Sequence, residues 1–494
     1  MPNDATDLIL VIDEGTTSTR AMLFATGGRC IASEARTLDQ SYPRPGWVEH
    51  DAAEIWRKTL RATAAMVAQA GGAHRIAGIG ITNQRETIVF WDRETGEPLA
   101  PAIVWQDRRT AAICRDLREQ GHEAEVQAKT GLLLDPYFSA SKIGWAMREW
   151  PQLAAAGTRL AIGTVDSWLI WKLTGGLHVT DATNASRTAL MDVHSGQWDD
   201  DLCALFGVPR AALPEIVDCA GRFGETTAFG AAIPICGIAG DQQAAAIGQA
   251  CLAPGQTKAT FGTGAFILTH AGATPPTSGH RMLSTVAWQL GGERAYALEG
   301  SVFVAGSLVQ WLRDTLGLIG TAAETETLAR SVPDNGGVYL VPALSGLGAP
   351  WWEPDARASI SGLSFATGKA HVARAALEAM AYQAHDLKTA FAADGIDWQS
   401  LRIDGGMVAN DWMAQDMADL LGIEVERPRF AETTALGAAM LAGVGAGLFA
   451  GLEEATAMRG DVETFTPSLG EDERQARLAG WKTAVDVVVA AGRS

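Results

Sequence analysis

The sequence predicts an α/β protein built from two lobes of similar design. Short apolar strands alternate with helical stretches along the chain, which is the pattern of an α/β architecture. At 494 residues the chain exceeds what one hydrophobic core normally supports, so two or three domains are expected. A strand–turn–strand unit near the N-terminus also recurs near the middle of the chain, which predicts an internal duplication.

The first copy of this unit opens the chain. An apolar run over 8–12, turn chemistry over 13–19 and a second apolar run over 20–24 predict a β-hairpin. A helix is predicted around 53–70, followed by strands over 76–81 and 87–91.

The second copy lies just past the middle of the chain. A strand over 257–261, the turn Gly262-Thr263-Gly264 and a strand over 265–269 repeat the opening pattern. We place the domain boundary near Gly248, which divides the chain into residues 1–248 and 249–494. Because no low-complexity linker marks the boundary, we expect the lobes to touch and to hinge.

The composition excludes several classes of partner. Lys and Arg number 39 against 57 Asp and Glu, a formal charge of −18 that disfavours nucleic acid and anionic membranes. The six cysteines form no CxxC pair and no zinc-type cluster. The acidic N-terminus is unlike a secretory signal, and no apolar run is long enough to span a membrane. These features predict a cytoplasmic location.

The first turn, residues 13–20, has the chemistry of a phosphate site. Gly15 permits a tight turn whose amides can bind an anion. The turn also supplies three hydroxyl donors, a cation at its exit and a strand-terminal carboxylate that can hold Mg²⁺ directly or through water. These are Thr16, Thr17, Ser18, Arg20 and Asp13. The alternative is an ordinary hairpin turn.

Two further segments follow predicted strands. Arg85 and Glu86 come after the strand over 76–81 and could bind a polyol, although a surface ion pair is the alternative. Asp241 lies between a strand over 235–238 and a small-residue helix over 244–250, where it could meet a substrate or merely cap the helix.

Many separated motifs in a fixed order resemble the FGGY carbohydrate-kinase family, from about Leu8 to about Gly451. Besides the two turns, they are Thr82–Thr87, Ile103–Thr110, Asp135–Ser139, Ala239–Ala245, Gly346–Pro350, Asp404–Gly406 and Thr434–Ala439. The resemblance implies two actin/hexokinase-like, or ribonuclease H-like, lobes around a central cleft. It also implies ATP, Mg²⁺, a small polyol substrate with glycerol first, and a homo-oligomer, either a dimer or a tetramer.

The resemblance implies a role for each candidate residue. The polyol pocket would comprise Arg85, Glu86, Trp105, Tyr137, Asp241, Gln242 and Phe266. Nucleotide contacts would come from Thr16, Thr17, Ser18, Arg20, Thr263, Gly306, Gln310, Gly406, Met407 and Asn410. Asp241 would be the catalytic base, and Asp13 and Asp241 would hold the metal. An ordinary carboxylate pKa near about 4 would make proton transfer late.

Three positions depart from the family pattern, and two other functions stay open. Glu14 stands where Gln is common, so it either points away from the phosphates or joins the Mg²⁺ shell; Met407 and Asp411 also differ. Another polyol or sugar kinase, for xylulose or erythritol, would share the phosphate turns. A non-metabolic actin-like ATPase would share the fold. The pair Gly78 and Gly80 lacks the third glycine of a dinucleotide-binding motif.

Overall fold

The computed structural model describes residues 8–493, in which strands and helices alternate through two lobes, each centred on a β-sheet. Up to residue 248 the strands are β1 (Leu8–Glu14), β2 (Ser18–Ala25), β3 (Cys30–Thr37), β4 (Glu49–His50), β5 (Ile76–Asn83), β6 (Ile88–Asp92), β7 (Ala102–Ile103), β8 (Leu160–Thr164), β9 (Val179–Asp181), β10 (Met191–Asp192), β11 (Gln197–Trp198), β12 (Glu215–Val217), β13 (Glu225–Thr226) and β14 (Ile233–Gly240). The helices of this part are α1 (Ala52–Gln69), α2 (Ala111–Glu119), α3 (Glu123–Thr130), α4 (Ser139–Glu149), α5 (Pro151–Ala156), α6 (Val165–Thr174), α7 (Ala182–Ala185), α8 (Asp200–Phe206) and α9 (Asp241–Gly248).

The rest of the chain repeats this alternation. Its strands are β15 (Gln256–Phe261), β16 (Ala265–Gly272), β17 (Leu283–Leu290), β18 (Glu293–Val302), β19 (Tyr339–Val341), β20 (Ser359–Ser361), β21 (Ser400–Asp404), β22 (Val425–Pro428) and β23 (Val462–Phe465). Its helices are α10 (Gly306–Gln310), α11 (Glu324–Arg330), α12 (Lys369–Ala393), α13 (Asp411–Leu421), α14 (Thr433–Gly445), α15 (Leu452–Ala455) and α16 (Glu471–Gly492).

The two main sheets share the order and direction of six strands, with β17 as an additional strand of the second sheet, which confirms the predicted α/β class and the internal duplication. The first sheet has the order β13-β14-β5-β1-β2-β3 and the second β17-β18-β16-β15-β21-β22-β23. In each, a hairpin (β1–β2 or β15–β16) is extended by a parallel strand, β5 or β21, and then by another parallel strand, β14 or β22. A four-stranded sheet, β4-β7-β6-β8, adds to the first lobe.

The predicted opening elements are confirmed, with ends shifted by one or two residues. The hairpin strands are longer than predicted because their ladder continues through the pairs Asp13–Arg20 and Glu14–Thr19. Strand β1 is apolar throughout because both of its faces are covered: Ile9 packs toward α14 and Leu10 toward α1.

Helix α14 belongs to the second half of the chain but packs on the first sheet. Its residues share a core with β1 and β14. At Gly80 a β-carbon would lie 2.3 Å from the Ala438 carbonyl oxygen, so only glycine lets the helix backbone approach β5 this closely. Gly80 therefore serves helix–sheet packing. The domain boundary near Gly248 stays a prediction.

A helix that spans a membrane must be long and apolar. Among residues 8–493, no helix is long and apolar enough to cross a bilayer.

Candidate active site

Three parallel strands of the first sheet end side by side at the edge of a cleft between the lobes. Asp13 of β1 pairs with Thr82 of β5, and Gly240 of β14 pairs with Asn83 of β5. Asp241 follows immediately after β14. This parallel register brings residues that are far apart in sequence to one edge, where ligands commonly bind in α/β proteins.

Arg85 is held in a buried ionic network rather than in a surface ion pair. Its Nη1 lies 2.6 Å from Glu299 Oε2, and its Nη2 lies 3.2 Å from Glu299 Oε1. Arg187 adds a contact of 2.7 Å to Glu86 and one of 3.0 Å to Glu299. The Nε of Arg85 lies 3.4 Å from Asp241 Oδ1, so the Nε side of the guanidinium group faces Asp241, the predicted base.

Glu86 has a strained backbone that directs its carboxylate into this network. Its φ is 64°, and the Thr87 amide donates to the Arg85 carbonyl at 2.8 Å, which closes a three-residue γ-turn. Such strain persists only where the surroundings hold it, and it is typical of binding sites. Oε1 of Glu86 accepts from Arg187, whereas Oε2 has no partner within residues 8–493. Oε2 is thus able to accept a ligand hydroxyl.

Glu299 and Arg187 are residues of this site that were not predicted from the sequence. Glu299 lies in β18 of the second lobe, so the network joins the two lobes. Burial raises the pKa of Glu299, but the charges of Arg187 and Arg85 outweigh it and lower that pKa to about 2. A charged residue inside the apolar strand 296–302 was a usable signal for Glu299. For Arg187 the local sequence contains none.

Three aromatic side chains form one wall of the cleft. The rings of Trp105 and Tyr137 lie 5.5 Å apart, and those of Trp105 and Phe266 lie 6.4 Å apart. Phe266 comes from β16 of the second lobe and the other two from the first. Trp105 Nε1 donates to the Thr16 hydroxyl at 2.9 Å, which ties this wall to the first turn. All three rings are only partly buried, so they can contact a ligand.

Asp241 is the first residue of α9, which begins three residues earlier than predicted. Gly240, in an extended conformation, occupies the capping position, so Asp241 is not the cap. Its Oδ1 accepts from the Gln242 amide at 2.7 Å, and 34% of its side chain is exposed. Burial raises the pKa of Asp241, and Arg85 and Lys258 oppose that shift. The expectation of an ordinary pKa near about 4 is therefore wrong, and the carboxylate is a stronger base than assumed.

Gln242 is linked to the second lobe. Its Oε1 accepts from the ammonium of Lys258, a buried residue of β15 that sequence reasoning did not single out.

The two glycine-containing turns expose the residues predicted to meet phosphate. Thr17 and Thr263 are both exposed, and the Gly15 amide donates to the Ser18 carbonyl at 3.0 Å to close the first turn. Gly306 packs directly against the second turn, where a β-carbon would lie 2.5 Å from the Gly262 carbonyl oxygen. This close packing explains why position 306 is a glycine. Gln310 is exposed at the end of α10.

The segment predicted for the adenosine side leads into α13. Gly405 has a φ of 96°, and a β-carbon there would lie 2.4 Å from the Phe261 carbonyl oxygen. Gly406 is exposed with open space around it, and Met407 is half-buried beside it. Asn410 caps α13 by accepting from the Met413 amide at 2.9 Å, so its side-chain oxygen already has a structural partner.

Neighbouring acidic residues at the end of β1 face opposite sides. The Glu14 carboxylate is buried and accepts from Thr59 at 2.7 Å, so it points away from the phosphate turn. Burial raises the pKa of Glu14 to about 8. Asp13 has no side-chain hydrogen bond or ion pair within the described chain, and burial raises its pKa to about 7. Arg20 forms an ion pair with Glu432, so in this conformation its charge already has a partner.

Solved structures share this architecture. The chain superimposes on Plasmodium falciparum glycerol kinase with ADP at a TM-score of 0.92 and 36% identity, covering 97% of this chain and 98% of that one. A xylulose kinase from Rhodospirillum rubrum gives a TM-score of 0.88 at 25% identity, covering 99% of this chain and all of that one, 100%. The class of protein is therefore a two-lobed α/β kinase of the actin/hexokinase type.

The family follows from the sequence matches. Residues 8–248 match the N-terminal domain of the FGGY family of carbohydrate kinases, and residues 257–446 match its C-terminal domain. The chain belongs to the FGGY family of carbohydrate kinases. Curated relatives include the glycerol kinases of Rhodospirillum rubrum, 55% identical over 97% of this chain and 98% of that protein, and of Alcanivorax borkumensis, 54% identical over 97% of each.

Proposed function

We propose that the protein transfers the γ-phosphoryl group of ATP to glycerol, giving sn-glycerol 3-phosphate and ADP. The observation that carries this proposal is the convergence of Arg85, Glu86 and Asp241 beside a partly exposed aromatic wall. Relatives at 54–55% identity over nearly the whole chain are named glycerol kinases, which supports the same substrate.

The pocket suits a molecule with three hydroxyls on a short carbon chain. Glu86 Oε2 is available to accept a hydrogen bond from a hydroxyl group, and the Nε–H of Arg85 can donate a hydrogen bond to a hydroxyl oxygen. The ring of Trp105 can cover the CH face of the polyol. Together these groups would bind the two hydroxyls that are not phosphorylated and leave the third beside Asp241.

Asp241 would accept the proton of the reacting hydroxyl. In phosphoryl transfer the transition state is loose, so the alcohol loses its proton as the new phosphorus–oxygen bond forms. The raised pKa of Asp241 reduces the difference between the pKa of the carboxyl group and that of the alcohol, which makes this late proton transfer easier.

The exposed turns would bind the phosphates of ATP, with Thr17 on one lobe and Thr263 on the other. Asp13 fits a role in holding Mg²⁺, because its carboxylate has no other partner in the described chain and Mg²⁺ prefers few carboxylates plus phosphate oxygens. Asp241 lies near enough for its charge to raise the pKa of Asp13 further, so it would be the second carboxylate of the metal site. When bound, Mg²⁺ neutralises charge on the phosphates. Approach of the lobes would exclude water and so suppress wasteful hydrolysis.

A coupled assay of ADP release tests the proposal. We expect release that requires glycerol and Mg²⁺, with xylulose and erythritol much poorer than glycerol. Fast ADP release that does not depend on glycerol would contradict the kinase function and favour an actin-like ATPase. A clear preference for xylulose or erythritol would be consistent with a kinase of this family but would contradict glycerol as its substrate.

A further inference from the structure

Lys258 carries a fully buried ammonium group that forms no ion pair with any residue the structure describes. Its side chain is inaccessible to solvent, and its Nζ donates to two neutral acceptors, Gln242 Oε1 and the Thr260 hydroxyl, the latter at 2.8 Å. Within residues 8–493 no carboxylate approaches it to ion-pair distance. Burying a charge without an opposite charge beside it costs folding free energy, which the two hydrogen bonds of Lys258 offset only in part.

The position of Lys258 connects it to the reaction. It lies in β15 of the second lobe, whereas Gln242 is the second residue of α9 in the first lobe and directly follows Asp241. The contact between Lys258 and Gln242 therefore joins the two lobes next to Asp241, the proposed catalytic base.

The chemistry of the contact determines how Gln242 is oriented. An ammonium group has only donors, so the amide must turn its Oε1 toward Lys258. The Nε2 group then faces away, and it has no partner within the described chain. Since Gln242 is half-buried at the cleft, it presents the cleft with N–H donors only.

We propose that Lys258 is a positioning residue that fixes Gln242 as a hydrogen-bond donor to the oxygen of the reacting hydroxyl. The inference rests on the proposed function and adds to it a role for the second lobe. A hydroxyl has one proton and two lone pairs. With Gln242 donating to one lone pair, the proton is directed to Asp241 and the other lone pair is free to attack phosphorus.

The opposite orientation of the amide would impair the reaction. If Gln242 presented Oε1 instead, two acceptors, the amide oxygen and Asp241, would compete for the single proton. A hydroxyl bound to the amide oxygen would be misaligned for transfer. The nearby ammonium also polarises the amide, which strengthens its N–H donors.

The variant Gln242→Glu separates this role from a structural one. Glutamate still gives Lys258 an acceptor, now a charged one, but it has no donor for the substrate. We expect an unchanged or higher thermal unfolding temperature, and a kcat lower by roughly 100-fold, the usual loss when a preorganised donor is removed. Gln242→Leu, which adds no charge, should lose a similar factor. Wild-type kcat in both variants would overturn the proposal.

The variant Lys258→Met tests the lysine itself. We expect kcat to fall by about tenfold, with a smaller change in the KM for glycerol, because the amide then turns freely. Lys258→Arg keeps donors toward Gln242 and should recover part of the loss. The double variant Lys258→Met with Gln242→Leu should be no slower than Gln242→Leu alone, since the lysine acts through the glutamine. Losses that multiply would contradict that coupling.

The control is Lys388→Met, which removes a half-buried lysine that donates to the Leu421 carbonyl at 3.0 Å at the far end of α13. Its kcat should equal that of the wild type. If Lys258→Met fails to fold, the two Gln242 variants still test whether Gln242 acts as a donor to the reacting hydroxyl. A wild-type enzyme without glycerol-dependent turnover would defeat the proposed function, whereas active Gln242 variants would defeat only this inference.

Discussion

Adjacent carboxyl groups at the end of β1 have different environments because side chains alternate along a strand. Asp13 faces the cleft without a side-chain partner in the described chain, while Glu14 faces the core and Thr59. Burial favours the neutral form of Glu14, so the acidic residue beside the phosphate turn adds little negative charge below pH 8.

Glu14→Gln should stabilise the protein in a pH-dependent way. The pKa of Glu14 is about 8 in the folded chain and near 4.5 when exposed, so the folded state holds a proton that the unfolded state has lost between these values. The stability of the wild type therefore falls as the pH rises through this window, at up to about 1.4 kcal/mol per pH unit.

Thermal unfolding without divalent cations measures this effect. The gain of Glu14→Gln over the wild type should be absent near pH 4.5 and should grow toward pH 8. A gain that does not vary with pH would contradict the buried, protonated state of Glu14.

Asp241→Asn and Arg85→Lys should have different kinetic effects. Removing the base should lower kcat by about 10²–10⁴-fold while glycerol and ATP still bind. The lysine keeps a positive charge beside Glu299 but loses the guanidinium fork, so the KM for glycerol should rise. Steady-state kinetics with glycerol as the varied substrate distinguishes them. Retained turnover in Asp241→Asn would mean that the base is elsewhere, and an unchanged KM in Arg85→Lys would contradict its role in binding.

At the scale of elements, the position of Asp241 depends on how α9 packs against α14. The two helices approach so closely that each needs glycine at the contact. A β-carbon on Gly437 would lie 1.8 Å from the Ala244 carbonyl oxygen, and one on Gly248 would lie 2.0 Å from the Thr433 carbonyl oxygen. Helix α14 thus supports the helix that presents the base.

Gly437→Ala should therefore reduce both stability and activity. The methyl group can fit only if α9 and α14 separate, at a cost of about 1–3 kcal/mol. The displacement should also lower kcat, because Asp241 moves with α9. Thermal unfolding and the ADP assay provide the two readouts. Gly27→Ala is the matched control, since a β-carbon there meets nothing within 4 Å. Equal behaviour of the two variants would refute this account.

At the scale of the whole molecule, the lobes are joined by charge as well as by apolar packing. Glu299 of the second lobe contacts Arg85 and Arg187 of the first, and all three side chains are almost completely buried. Lys258 and Gln242 form a second polar link between the lobes. The chain also returns to its starting lobe, because α14 completes the core of the first sheet.

Glu299→Gln should destabilise the protein strongly. The change removes the carboxylate that Arg85 and Arg187 share and leaves them only Glu86 and the partly exposed Asp241, and removing one partner of a buried ion pair costs about 3–5 kcal/mol. The thermal unfolding temperature at neutral pH measures this loss. Glu326→Gln is the control, because its ion pair with Arg330 is partly exposed to solvent and contributes less than about 1 kcal/mol. Similar unfolding temperatures for both variants would argue against the importance of the network.

Residues whose role is local were predictable from the sequence. Gly15 and Gly262 were predictable as turns because glycine between two apolar runs has a direct conformational meaning. Asp241 was predictable at the end of a strand, although its raised pKa was not, because burial depends on what the rest of the chain places around it.

By itself, the sequence determined the α/β class, the paired hairpins and the order of motifs that marks the family, because these depend on short-range patterns. Only the tertiary structure decided that Glu299, Arg187 and Lys258 meet the site, that Glu14 faces the core and that α14 supports α9. These contacts join residues as much as 214 positions apart, as for Arg85 and Glu299, and no local pattern of residues encodes such a distance. Their energies come from desolvation and charge pairing, which exist only once the chain has folded.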